Sequence, residues 1–275
     1  MIQLTRERTA TRIPARFRGQ GRLESERALL RLRATRSEPK STVWSAAKPQ
    51  LRRESRGKCA YCEGKADTVA HCDVEHFRPK SDYWSLAYCY DNYTFACQIC
   101  NQTFKGSDFP KTGPRLVEPN IPAGSTNAFV EAFVGQLGPD PLDPVAVAAF
   151  HAKLAAEVAG LPDPYAVDPE PLFQWFADDV IKEVEIRARD QTEASQIAFA
   201  AVDEFLGLNR QELKLWRWQT FKEAQAIAQA LKSNPPLSAP VEIALRDVLL
   251  RMMSPDGQFS AMVRYVVRVV EGLPL

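Results

Sequence analysis

At 275 residues, with 45% hydrophobic and 25% charged side chains, the chain can bury one large core or two modest ones. No apolar run reaches membrane-spanning length and no signal-like apolar stretch opens the chain, so the expectation is a cytoplasmic protein with no membrane partner. The net charge of +1 conceals an asymmetry: residues 1–65 carry 13 Arg and 4 Lys against 6 acids, and the remainder carries 18 basic and 28 acidic groups. That pattern suits a polyanion contact confined to one end, or equally a solvated basic arm.

In chain order, residues 1–57 read as a basic N-terminal arm. They contain one helical stretch at 23–32, and Trp44 and Leu51 anchor the arm to the neighbouring module. Residues 58–111 form that module, which is compact and dense in Cys, His, Asn, Asp and aromatic residues. A Pro- and Gly-rich connection at 112–144 leads into a mainly helical domain, 145–275. Within that domain, 145–160 is a predicted helix ended by Gly160, and 172–176 with 180–186 is a predicted hairpin about Ala-Asp-Asp. An apolar stripe of Ile197, Phe199, Val202, Phe205 and Leu206 marks the next helix. Asn209 and Glu212 have capping-box spacing for a long helix stopped at Asn234-Pro235-Pro236. Helices at 239–253 and 257–271 complete the chain.

The chemistry concentrates in 58–111. Cys59-x-x-Cys62 and Cys97-x-x-Cys100 are separated by 34 residues. Two such knuckles offer the tetrahedral thiolate set of a structural Zn²⁺, closed to further ligands. Cys72 and Cys89 fit no ligand spacing. Between the pairs runs Asp73-Val74-Glu75-His76-Phe77-Arg78-Pro79-Lys80, a β-like segment with a carboxylate beside a histidine. On an ideal strand these two point to opposite faces, so serving one site requires a strand end, which Pro79 favours. A helix starting near Cys97 places Asn101 and Lys105 on one face. The expected unit is knuckle, hairpin, helix. His71 is assigned a hydrogen-bonded structural role, and His151 none in catalysis.

The pattern CxxC, DVEHFRPK, Asn92, CxxCN and Lys105 resembles the HNH (ββα-metal) endonuclease family in its zinc-containing branch. More weakly, the whole chain resembles the HNH subunits of Septu-type and retron-linked anti-phage defence systems. The resemblance implies an α+β fold, with a treble-clef-like ββα-metal module stapled by a four-cysteine zinc and a mainly helical C-terminal domain. It implies that His76 is the general base, that Glu75 and Asn101 bind a catalytic Mg²⁺ or Mn²⁺, and that Asn92 orients the histidine or its loop. Lys105, Arg78 and Lys80 are then phosphate contacts and Asp73 supports the metal site from behind. The chain carries Glu75 where many members have Asp, and Asn101 where the last family letter is often His, which favours a hard metal. The implied partners are DNA, or RNA, and an ATPase subunit. A zinc-stapled nucleic-acid-binding adaptor without catalysis stays open, because binding alone needs none of Glu75, His76 and Asn101.

Overall fold

The structure is a computed structural model that describes residues 1–65 and 72–275; His71 lies outside the described residues. It is mixed α/β, with two separate two-stranded antiparallel sheets. The chain groups into two compact units. One unit holds Thr5–Gly57 and the described part of Val69–Leu161; the other holds Met1–Leu4, the described part of the segment from Lys58, and Pro162–Leu275.

In the first unit, the segment expected as an arm folds into helices: α1 (Gly19–Ala34), α2 (Ser41–Trp44) and α3 (Lys48–Glu54). Leu29, Leu30 and Ala34 of α1 pack with Trp84, Ala87, Tyr88 and Leu137 in a buried cluster. Leu51 is fully buried. An Arg-rich segment is thus ordered by inserting a few apolar side chains, while its arginines pair with acids both near and far along the chain. Arg6 bonds Glu54, and Arg22 bonds Glu26. The strands β1 (Cys72–His76) and β2 (Tyr93–Cys97) pair antiparallel, with His76 opposite Tyr93 and Glu75 opposite Thr94.

After β2, the expected α-helix is replaced by a π-helical stretch, Ile99–Lys105, closed by Gly106 in left-handed backbone at φ 49°. Such wide turns concentrate at functional sites. Two short helices follow, α4 (Asn127–Glu131) and α5 (Pro144–Ala155). In α5, Asp143 caps the N-terminus by accepting from Val145 and Ala146 N–H. The helix stops short of the expected Gly160 because the chain turns back: Gly160 N–H donates to Pro110 O, and Lys111 bridges Ala159.

The second unit contains β3 (Phe173–Asp178) and β4 (Glu183–Ala188), then α6 (Glu193–Leu206), α7 (Gln211–Leu231), α8 (Ala239–Met253) and α9 (Ser260–Tyr265). Thr192 caps α6, and Gly207 ends it at φ 56°, as left-handed C-caps do. Asn209 does not cap α7, whose N-cap residue is Arg210. Asn209 instead accepts from Ile186 N–H at 2.9 Å and donates to Ile186 O at 3.0 Å. Its amide mimics a neighbouring strand on the open edge of β4, and two bonds to buried backbone outweigh one cap bond.

Candidate functional site

His76 stands at the end of β1, where pairing stops and its side chain leaves the ladder. Its Nε2 lies 3.0 Å from Ala87 O. A carbonyl oxygen only accepts, so Nε2 carries the proton and Nδ1 is left as the ring's free acceptor. Trp44 packs edge-on against the ring at 5.0 Å and Tyr93 at 5.1 Å. Tyr93 also donates its hydroxyl to the same Ala87 oxygen at 2.8 Å. Burial pushes the imidazole down to about 4, opposed by the Ala87 bond and reinforced by the ammonium groups of Lys80 and Lys105. The ring is therefore neutral at pH 7, with one fixed tautomer.

Glu75 precedes it and is 4% exposed. Burial raises its carboxyl pKa, against the attraction of Lys105. The π-helical stretch delivers Lys105 fully buried, with Nζ 2.7 Å from Glu75 Oε1 and 3.2 Å from His76 O. The two side chains form a buried ion pair. Asp73 accepts from Gln102 at 2.8 Å, with Lys48 Nζ 3.9 Å away. Glu75, His76, Asp73, Asn101, Lys80 and Lys48 line one cleft of about 350 Å³. Trp44 and Lys48, from the segment read as an arm, form one of its walls.

Three expected site residues do not line that cleft: Lys105, which is fully buried, Asn92 and Arg78. Asn92 clamps the turn after β1: its Oδ1 accepts from Arg78 N–H at 2.9 Å and its Nδ2 donates to Arg78 O at 2.9 Å. Its backbone O accepts from Phe77 N–H at 2.8 Å. That clamp sets the chain leading to Pro79 and Lys80. The Arg78 guanidinium turns away, donating to Glu157 Oε2 at 2.5 Å and to Leu154 O at 3.3 Å, over the Phe109 ring. Ala87 and Glu157 leave no mark in the sequence, for different reasons. The first contributes only a backbone carbonyl, and the second is 79 residues from its partner in a helix-to-loop segment without a motif.

The sulfurs of Cys59, Cys62, Cys97 and Cys100 lie within 4.8 Å of one another, and all four residues are buried. Tetrahedral coordination with Zn–S bonds of about 2.3 Å separates sulfurs by about 3.8 Å, so the quartet fits a metal such as zinc. Around Glu75, by contrast, the described residues assemble no group of three His, Cys, Asp or Glu donors. Among the described residues, no helix is long and apolar enough to cross a membrane.

No family model matches the chain, and no solved structure matches it. It is similar to the Septu protein PtuB of Bacillus mycoides (strain KBAB4), with 32% identity over 78 residues. That similarity covers 24% of this chain and 26% of the relative, so the chain spans about a quarter of that protein's length. The local likeness supports a Septu-like relationship.

Proposed function

We propose that this chain is a metal-dependent HNH-type endonuclease that hydrolyses phosphodiester bonds of DNA, as the nuclease effector of an anti-phage defence system. The observation that carries this reading is the state of His76: neutral, fixed as the Nε2–H tautomer by Ala87, and lining a cleft with Glu75 and Asn101. Geometry of that kind suits a general base, because an unprotonated Nδ1 can take a proton from water. In the proposed reaction the water oxygen attacks phosphorus as its proton passes to Nδ1, and the bond to the 3′-oxygen breaks. The imidazolium then returns the proton to the departing oxygen. A bound Mg²⁺ or Mn²⁺, for which Glu75 and Asn101 offer oxygen ligands, supplies charge neutralisation at the phosphate and the leaving group. Lys80 and Lys105 add positive potential, while Asn92 holds the turn that carries Lys80. Arg78 is tied to Glu157 and serves as a strut. The four cysteines hold a structural Zn²⁺. Likeness to a Septu protein supports a partner ATPase subunit and a cytoplasmic setting as parts of the same proposal.

A second reading has one observation in its favour. Lys105 Nζ sits on the Glu75 oxygen that a cation would use, which suits a zinc-stapled nucleic-acid adaptor whose module no longer binds a catalytic ion.

A supercoiled-plasmid time course with Mg²⁺ or Mn²⁺ separates the two. Wild type should nick before it linearises, and His76→Ala should slow cutting by about 10²–10⁴-fold. The acid limb of the rate profile should fall below the ordinary imidazole value of 6.5, because burial depresses this histidine. DNA binding without cutting, by the chain alone and with its ATPase partner, would establish the adaptor.

A further inference from the structure

Beside the cleft lies a second concavity of about 180 Å³, lined by Leu29, Arg33, Arg36, Pro39 and Trp84 and sharing Lys80 and Ser81 with the first. The two concavities are neighbours, with Lys80 and Ser81 lining both. The groove also carries charge: Arg33, Arg36 and Lys80 line it, against a single acid, Glu38. Two of these cations rest on aromatic rings. The Arg33 guanidinium carbon is 5.1 Å from the Trp84 centroid, and Lys80 Nζ is 5.9 Å from that of Trp44. Trp84 is 8% exposed and belongs to the α1 core, so Arg33 is held against a rigid support.

Arg36 adds an independent sign. It follows α1 in left-handed backbone at φ 55°, with Arg36 N–H bonded to Arg33 O and Ser37 N–H to Leu32 O. That is the helix-terminating position where glycine is favoured, because any residue with a Cβ is strained there. An arginine at such a position points to a use for its side chain.

We propose that this groove binds the nucleic-acid strand flanking the scissile phosphate, with Arg36 and Lys80 on phosphate oxygens and the Arg33–Trp84 pair as a stacking platform for one base. Alternating cations and planar groups are the general means of holding a single strand without reading its sequence. The proposal deepens the nuclease reading and rests on it for the position of the scissile bond. It assigns the groove to substrate grip, and predicts that short substrates ending inside the cleft are held poorly.

The test uses the full chain in a His76→Ala background, with fluorescent single-stranded oligonucleotides of graded length as probes and affinity measured against salt concentration. Arg33→Ala/Arg36→Ala should weaken binding of long probes roughly tenfold near physiological salt, through lost stacking and one lost phosphate contact, and flatten the log–log salt slope by about 0.7, the share of the Arg36 phosphate. Probes too short to reach the groove should bind both proteins alike. Glu38→Gln, which removes the opposing charge, should tighten long probes about twofold. Both sets of changes are at exposed or half-buried positions, and melting curves confirm the fold. An unchanged slope in the double variant, with Glu38→Gln also silent, overturns the groove. A parent chain that cuts nothing in the plasmid assay speaks against hydrolysis, whereas a flattened slope still upholds the groove as a strand site. A parent that binds no oligonucleotide overturns both.

Discussion

The two hairpins of this protein are built from ladders of similar length and solve opposite problems. In β3–β4, Phe173, Trp175, Val184 and Ile186 are buried while Phe176 is 46% exposed and Gln174 and Glu185 face outward in part. That is the period-two alternation of a sheet with one dry face, and its stability follows from apolar burial. In β1–β2 nearly every position of both strands is buried, including Glu75, His76 and Thr94. A strand pair that hides a carboxylate, an imidazole and a hydroxyl gains less from burial and incurs desolvation costs. Thr94 Oγ1 is buried without a hydrogen-bond partner among the described residues. The difference lies in what each ladder buries: β3–β4 hides apolar side chains, and β1–β2 also hides polar ones whose desolvation its packing must tolerate.

The comparison can be broken in three places, beginning with the largest effect. If β1–β2 depends on a metal in place of an apolar core, Cys97→Ser at the end of β2 should abolish stoichiometric zinc binding, a loss on the order of 10 kcal/mol of binding free energy. Metal analysis of the purified protein and its melting transition measure this; retention of one zinc per chain would show that the quartet is not the ligand set. Next, Phe173→Ala in β3, at a position 0% exposed, should cost about 3–5 kcal/mol of unfolding free energy and leave zinc content unchanged. Denaturant titration reads the first, and a zinc loss matching that of Cys97→Ser would erase the contrast between the hairpins.

The smallest effect compares one glutamate from each ladder. Glu75 is pushed above the ordinary carboxylate value by burial, despite Lys105. Glu183 is held below it by hydrogen bonds from Lys214 and Gln211. The signs for stability are therefore opposite. Glu183 contributes stabilisation that is present above its unfolded pKa and lost as pH falls through its lower folded value. Glu75 carries a charge penalty that protonation relieves, so its share of stability improves as pH falls through its raised folded value. Carboxyl-carbon NMR titration should find the two midpoints on opposite sides of 4.5. Coincident midpoints would remove the distinction.

Much of the architecture is legible in the residues because it rests on local rules. The hairpin of β3 and β4 follows from its β-formers, although its turn lies at 179–182, beyond the expected Ala-Asp-Asp, and α7 ends before Asn234-Pro235-Pro236 because proline stops helices. Asn209 misleads because a capping box is a local bond, and a strand edge made available by β4 offers it two. The arm misleads in the opposite way: α1 has weak periodicity, yet Leu29 and Leu30 find a core in Trp84, Tyr88 and Leu137 that lie far along the chain.

What the residues determine by themselves is the chemistry: two Cys-x-x-Cys knuckles, a Glu-His pair before Pro79, and an Asn and a Lys after the second knuckle. Their spacing is covalent, and thiolates, imidazole and carboxylate have intrinsic reactivity. What only the tertiary structure decided is the state of each group. The backbone of Ala87 selects the His76 tautomer, Glu157 takes Arg78 out of the cleft, and π-helical winding buries Lys105 on Glu75. Protonation, tautomer and pairing depend on desolvation and on atoms remote in sequence, and those are properties of the folded chain alone.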